Sequence, residues 1–119
     1  MHWQAAPKPD AKIVRAVRGG MYDVVADIRK NSPTFGQWTA QELTADNRKA
    51  MLIPPGCAHG LITLQEDTEV HYQMGEYYVA ELARGMRWND PMFNIEWPME
   101  PIVISERDAT YPDFIAEGN

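Results

Sequence analysis

Cysteine is all but missing. Cys57 is the only one in 119 residues, so no disulfide can close within the chain, a disulfide-stapled secreted scaffold is excluded, and the cytosol is the default expectation. Long apolar runs are also missing, and a membrane-crossing helix needs about 20 such residues, so no membrane partner is expected. The opening Met1-His2-Trp3-Gln4 has neither the basic nor the apolar region of a signal peptide. Positive charge is scarce: 11 Lys and Arg stand against 17 Asp and Glu, a net charge of −6. A general grip on nucleic acid needs a basic surface that replaces counterions, so none is expected. A local cluster of Arg and Lys remains able to hold one small anion. There is no GxGxxG segment for a dinucleotide, and no HxH, HExxH or CxxC spacing for a transition metal, so neither cofactor is expected. Helix-period apolar stripes are absent, which weighs against a bundle or a Rossmann unit.

What is present is a chain that folds. Hydrophobic residues make up 45% and charged residues 24%, a globular rather than a disordered balance. The length suits one domain, residues 1–119, with one core. Nine prolines and eight glycines cut the chain into short strands. Lys12 to Arg18 is a β-branched run ending at Gly19-Gly20. Met21 to Ile28 follows, with Tyr22, Val24, Ala26 and Ile28 alternating against Asp23 and Asp27. Two such runs around a Gly-Gly pair predict a hairpin. Gly36 to Leu43 predicts a strand, Thr44 to Asn47 a turn, and Met51-Leu52-Ile53 a short strand stopped by Pro54-Pro55-Gly56. Leu61 to Leu64 and Thr68 to Met74 predict a second hairpin. Val79 to Arg84 predicts a helical turn, and Ile102-Val103-Ile104 a last strand. Many short strands with almost no helix predict a sandwich or barrel.

Three histidines, His2, His59 and His71, are the natural candidates for proton transfer. By residue type alone each is more often a surface or satisfied core group. Likewise Lys12 at a strand start is ordinarily a surface lysine, and Tyr72 in a strand ordinarily packs. Asp90, before Pro91, reads as a turn residue whose side chain bonds backbone, and Trp38, Trp88 and Trp97 read as packing residues.

Resemblance singles some of these out. The segment Pro55-Gly56-Cys57-Ala58-His59 resembles the second motif of the cupin superfamily, where proline and glycine turn the chain and the histidine enters the barrel. The stretches HWQ, AKIVRAVRGGMYDVVADIRKNSPTFGQW, NRKAMLIPPGCAHGLITL, EVHYQMGEYY, RGMRWNDPMFNIEWP and ISERD resemble, in order, the conserved blocks of the dTDP-4-dehydrorhamnose 3,5-epimerase family. The resemblance covers nearly the whole chain. It implies an all-β, cupin-like jelly roll that works without metal or other cofactor, usually as a homodimer. The implied substrate is a nucleotide-linked sugar of the dTDP-4-keto-6-deoxyglucose class, on the way to rhamnose or a related deoxysugar of cell-surface polymers.

Site roles follow from the same resemblance. His2 matches the general base and Asp108 the carboxylate that orients it. Tyr72 matches the general acid on the opposite face of the sugar. Lys12 matches the lysine beside the developing enolate. His59 matches a substrate-contacting histidine, Tyr78 the ring that stacks on thymine, and Arg107 a substrate-side position where lysine is common. These types suit the chemistry. A proton next to a ketone is weakly acidic, so its removal needs a base of near-neutral pKa and a cation where the enolate oxygen forms. The resemblance starts inside the family pattern. Strands before the histidine, with the residues that exchange between subunits and bind the phosphates, are expected to be lacking, and Ala83 stands where an acidic residue is usual. A second expectation therefore stays open: a cupin-like module that binds the nucleotide sugar without turnover. Whether C3, C5 or both would be inverted is left undecided by the motifs.

Overall fold

The strand Gly20–Asp27 (β3) is buried on both faces, and the rest of the chain is arranged around it. One face carries Met21 and Val25 into a core with Val14, Leu43, Ile53 and Cys57. The other carries Val24 and Ala26 into a second core with Met1, Ala58, Met86 and Phe93. Each such side chain, fully buried, contributes roughly 1.5–3 kcal/mol of transfer free energy. The structure is a computed structural model and describes residues 1–116.

The other elements, in chain order, are β1 (His2–Gln4), β2 (Lys12–Arg18), β4 (Trp38–Thr44), β5 (Ala50–Ile53), β6 (Cys57–Thr63), β7 (Glu69–Met74), a 3₁₀ turn (Ala80–Leu82), β8 (Ala83–Gly85) and the one-turn helix α1 (Glu106–Thr110). They form a five-stranded sheet, β4-β3-β6-β1-β8, and a three-stranded sheet, β5-β2-β7. All pairings are antiparallel. The first core lies between the sheets. The second covers the outer face of the larger sheet, where residues 86–97 and Phe114 fold back. There Trp3, Trp38 and Trp97 pack, and the Trp97 indole N–H donates to the carbonyl of Trp88 at 2.7 Å. Asp90 is buried and accepts from the backbone N–H of Met92 and of Phe114, as its position before Pro91 predicts. The fold is the all-β, cupin-like jelly roll.

Neither predicted hairpin forms. β2 pairs with β5 and β7, whereas β3 pairs with β4 and β6. Gly19, at φ +73°, carries the chain from one sheet to the other. Its carbonyl accepts from Ala45 N, and that of Gly20 from Leu64 N. A side chain at Gly19 would collide with Thr68, whose hydroxyl bonds to both N–H and C=O of Gly20. β6 and β7 likewise belong to different sheets. Turn chemistry marks where a chain reverses, but a strand buried on both faces carries no sign of which neighbour it will pair with. Residues 102–104 form no strand, and Ile102 and Val103 lie open to solvent. The predicted helical turn at Val79–Arg84 is a 3₁₀ turn running into β8.

The loop after β3 hangs on Asp27. Its buried carboxylate accepts from Arg29 N, Nε and Nη2 at 2.9–3.0 Å and from the hydroxyls of Ser32 and Thr34 at 2.5 Å. The Arg29 guanidinium beside it, with the two hydroxyls, outweighs burial and holds this carboxyl well below the usual carboxylate range. A depressed folded-state pKa stabilises the fold above the unfolded value of about 3.9, and the contribution is lost as pH falls below it. Asp27→Asn is therefore expected to lower stability by about 1.5–3 kcal/mol at neutral pH. Urea unfolding should show the gap to the unaltered chain closing as the pH falls below about 4.

Candidate active site

Alternation along a strand decides what points inward. On β1, His2 and Gln4 face the barrel, while Met1 and Trp3 pack on the outer core, as the two-residue strand period requires. Pairing puts His2 level with His59 of β6, which is level with Val25 of β3. In the opposite sheet Lys12, Val14 and Ala16 face inward on β2. Tyr72 is level with Val14, and Met74 with Lys12. The two inward rows close on a cavity of about 830 Å³. It is lined by His2, Lys12, His59, Tyr72, Tyr78, Arg107 and Asp108 together, and also by Gln4, Asp10, Glu76 and Tyr111. Every residue that the resemblance singled out thus opens onto one cavity.

The His2 ring meets Asp108 through Nε2, 2.6 Å from Oδ1. A carboxylate accepts, so Nε2 carries the proton and Nδ1 is the nitrogen free to take another. Asp108 is delivered by α1, whose Ser105 cap accepts from Asp108 N at 3.2 Å. The helix buries none of its own residues, so its anchors lie just beyond it. The Tyr111 ring sits on Gly85, where a Cβ would overlap it, and stands edge-on to His2 at 6.3 Å. Arg87 donates to the Tyr111 carbonyl and pairs with Asp113.

Burial pushes the His2 imidazole below its ordinary value; the hydrogen bond to Asp108 opposes this, and the Met1 α-ammonium adds to the lowering. Burial would raise the Asp108 carboxyl, but the hydrogen bond from His2 and its charge outweigh that and leave it lowered. A lowered imidazole stays neutral, and so able to accept a proton, to a pH below about 6.5. The acid limb of kcat/KM should fall there. Asp108→Asn removes the one contact holding the His2 value up, so that limb should move to still lower pH, with turnover down on the order of tenfold or more. A limb that stays in place would separate Asp108 from the titrating group.

A second imidazole–carboxylate pair lies deeper. His59 Nε2 is 2.7 Å from Asp23 Oδ1, and Asp23 is wholly inaccessible. Asp23 Oδ2 is buried with no hydrogen-bond partner among the described residues, a condition that costs about 1–3 kcal/mol. Sequence reading gave Asp23 no role. The signal was there: an aspartate flanked by Tyr22 and Val24 in an apolar run is a costly thing to bury. Lys12 is also nearly buried, with Nζ 3.7 Å from Asp10 Oδ2, and Asp10, like Tyr111 and Gln4, had been given no role. Tyr72 and Tyr78 are largely exposed on the cavity rim.

Fold and site together define a cupin-like jelly roll whose barrel interior is fitted with paired acid–base groups. A family model described as dTDP-4-dehydrorhamnose 3,5-epimerase matches residues 1–116. The enzyme of that name from Sinorhizobium fredii is 42% identical over 113 residues, which are 94% of this chain and 58% of the relative. Among solved structures, the dTDP-4-dehydrorhamnose 3,5-epimerase of Bacillus anthracis, with TDP and PPi bound, superposes with a TM-score of 0.91 at 42% identity, over 95% of this chain and 65% of that one. The dTDP-6-deoxy-D-glucose-3,5-epimerase of Legionella pneumophila, in complex with dTDP-4-keto-L-rhamnose, gives 0.84 at 35% identity, over 90% and 57%. This chain belongs to the dTDP-4-dehydrorhamnose 3,5-epimerase family. It spans about six-tenths of the length of the curated relatives it matches.

Proposed function

We propose that this chain carries the acid–base site of an epimerase for dTDP-linked 4-keto-6-deoxy sugars. The observation that carries the reading is the single cavity onto which His2 of one sheet and Tyr72 and Lys12 of the other all open. His2, oriented by Asp108, takes the proton from a carbon beside the ketone. Electrons move into the carbonyl, and Lys12 holds the negative oxygen. Tyr72 returns a proton from the opposite face, which inverts the centre. Oxidation state is unchanged, so the reaction calls for no redox cofactor. Tyr78 stacks on the nucleobase, Arg107 contacts the substrate, and His59, fixed by Asp23, contacts the sugar. The working form is a cytoplasmic homodimer; Cys57, buried and unpaired, suits a reducing compartment.

Solvent deuterium exchange into dTDP-4-keto-6-deoxyglucose, followed by NMR, tests the reading. Label is expected at C3, C5 or both, with the centres that are inverted revealed by the product. No label at either carbon would overturn it. Tyr72→Phe leaves the base in place but removes the proton donor. Inversion should fall about 10²-fold while exchange with retention persists. Equal loss of both would assign Tyr72 to abstraction or binding instead.

A further inference from the structure

Gln4 lies two residues beyond the candidate base, on the same inward face of β1, and is 6% exposed. Its amide is fully engaged by backbone. Nε2 donates to the carbonyl of Lys8 at 2.6 Å and to that of Tyr77 at 3.1 Å. Oε1 accepts from Val79 N at 2.9 Å. One side chain thus ties three pieces of the site together: the strand of His2, the loop that leads into Lys12, and the strap between β7 and the 3₁₀ turn.

The strap is the piece that depends on it. Tyr77 and Tyr78 are 86% and 72% exposed, so packing does little to fix them. At its start the strap is tied to the loop before β2, where Gly75 N donates to the Ala11 carbonyl at 2.8 Å; around the two tyrosines its other ties are local. Tyr77 N donates to its neighbour Glu76, and the Val79 carbonyl accepts from Leu82 N. The bonds from Gln4 flank Tyr78 on both sides, at Tyr77 and Val79. An exposed ring has no preferred place of its own, and an ordered backbone beneath it lowers the entropy lost when a ligand stacks on it.

We infer that Gln4 is a positioning residue that clamps the strap and sets the affinity of the site for the nucleobase end of its ligand, acting through Tyr78 rather than on the proton transfers. The inference rests on the proposed function, because it needs a ligand with a planar ring to stack. Gln4→Met keeps the length and loses all three hydrogen bonds. The Kd for dTDP, measured by calorimetry, should rise about tenfold, equivalent to about 1.4 kcal/mol. KM should rise with it, and kcat should stay within about threefold.

A double-mutant cycle separates this role from a general structural one. In a Tyr78→Ala background, Gln4→Met should cost little further affinity, because the group it positions is gone. Amide hydrogen exchange at Val79, read without ligand, should speed up in Gln4→Met. If Gln4→Met does not fold, Gln4→Glu keeps the acceptor for Val79 but sets a carboxylate oxygen against the carbonyls of Lys8 and Tyr77, and should show the same pattern. Additive losses in the cycle, unchanged protection of Val79, or a fall in kcat with KM unmoved would overturn the inference with the functional reading intact. Failure of the unaltered chain to bind dTDP, with Val79 still deprotected in the variant, would overturn the functional reading and the affinity role together, leaving a clamp without a ligand.

Discussion

Replacing His2 by asparagine is expected to lower turnover on dTDP-4-keto-6-deoxyglucose by about 10³–10⁴-fold. Asparagine can still bond to Asp108, so the α1 segment keeps its partner, and the loss reports on proton abstraction rather than on a collapsed site. Exchange and inversion should disappear together, since both begin with the same proton. That distinguishes His2 from Tyr72, whose loss should spare exchange. Ligand affinity should change little, because binding at the nucleotide end engages other groups. His2 is 42% exposed in its side chain, so thermal stability should move by no more than a surface substitution allows, about 0.5 kcal/mol plus the ion pair. Turnover within tenfold of the unaltered chain would place the base elsewhere, and His59, oriented by Asp23 in the same cavity, is the group then to test.

Lys12→Met carries the second large expectation. A fixed cation beside a forming enolate oxygen acts where charge develops, and removing one such group commonly costs about 2.7–4 kcal/mol, or 10²–10³ in kcat. Lys12 is suited to this by burial. Its side chain is 12% exposed and lies beside Asp10, 8% exposed, in the wall between β2 and the cavity. Methionine keeps the stem that packs there, so the change isolates the charge. Loss should fall on kcat, with a smaller effect on dTDP affinity, because the nucleotide itself has no ketone. Exchange should fall in step with inversion, because abstraction and enolate formation are one event. An effect confined to KM would make Lys12 a binding residue. Removing the cation leaves Asp10 buried without its partner, so a loss of stability is also expected. Activity is therefore compared at a temperature where both forms are folded, checked by circular dichroism.

Much of this was legible in the chain itself. Strand positions could be read from alternation and from glycine and proline, because side chains on a pleated strand must divide between two faces. Scarce cysteine and an acidic balance weigh against a disulfide scaffold and a general nucleic-acid grip. The blocks around His2, His59, Tyr72 and Asp108 follow one another in family order, so the residues themselves were visible. Strand partners were not, and the hairpins predicted across Gly19-Gly20 and across Gln65-Glu66-Asp67 do not exist. Asp23, Tyr111 and Gln4 stayed hidden for a related reason. Each acts on a residue distant in sequence or on a loop it does not belong to: Asp23 on His59, Gln4 on Tyr77 and Val79.

By itself, then, the sequence determined the alphabet of this protein: short strands, a barrel-type fold, and a set of candidate His, Lys, Tyr and Asp residues in a definite order. Those properties are local, set by which side chains each residue carries and how a strand presents them. Only the tertiary structure decided that β2 and β3 face one another across the core, and that the chain crosses between sheets at Gly19. That crossing is what puts Lys12 and Tyr72 on one wall of the cavity and His2 and His59 on the other. Pairing between strands is a choice among partners far apart in the chain, made by the packing of the whole barrel, and no short stretch of sequence contains it.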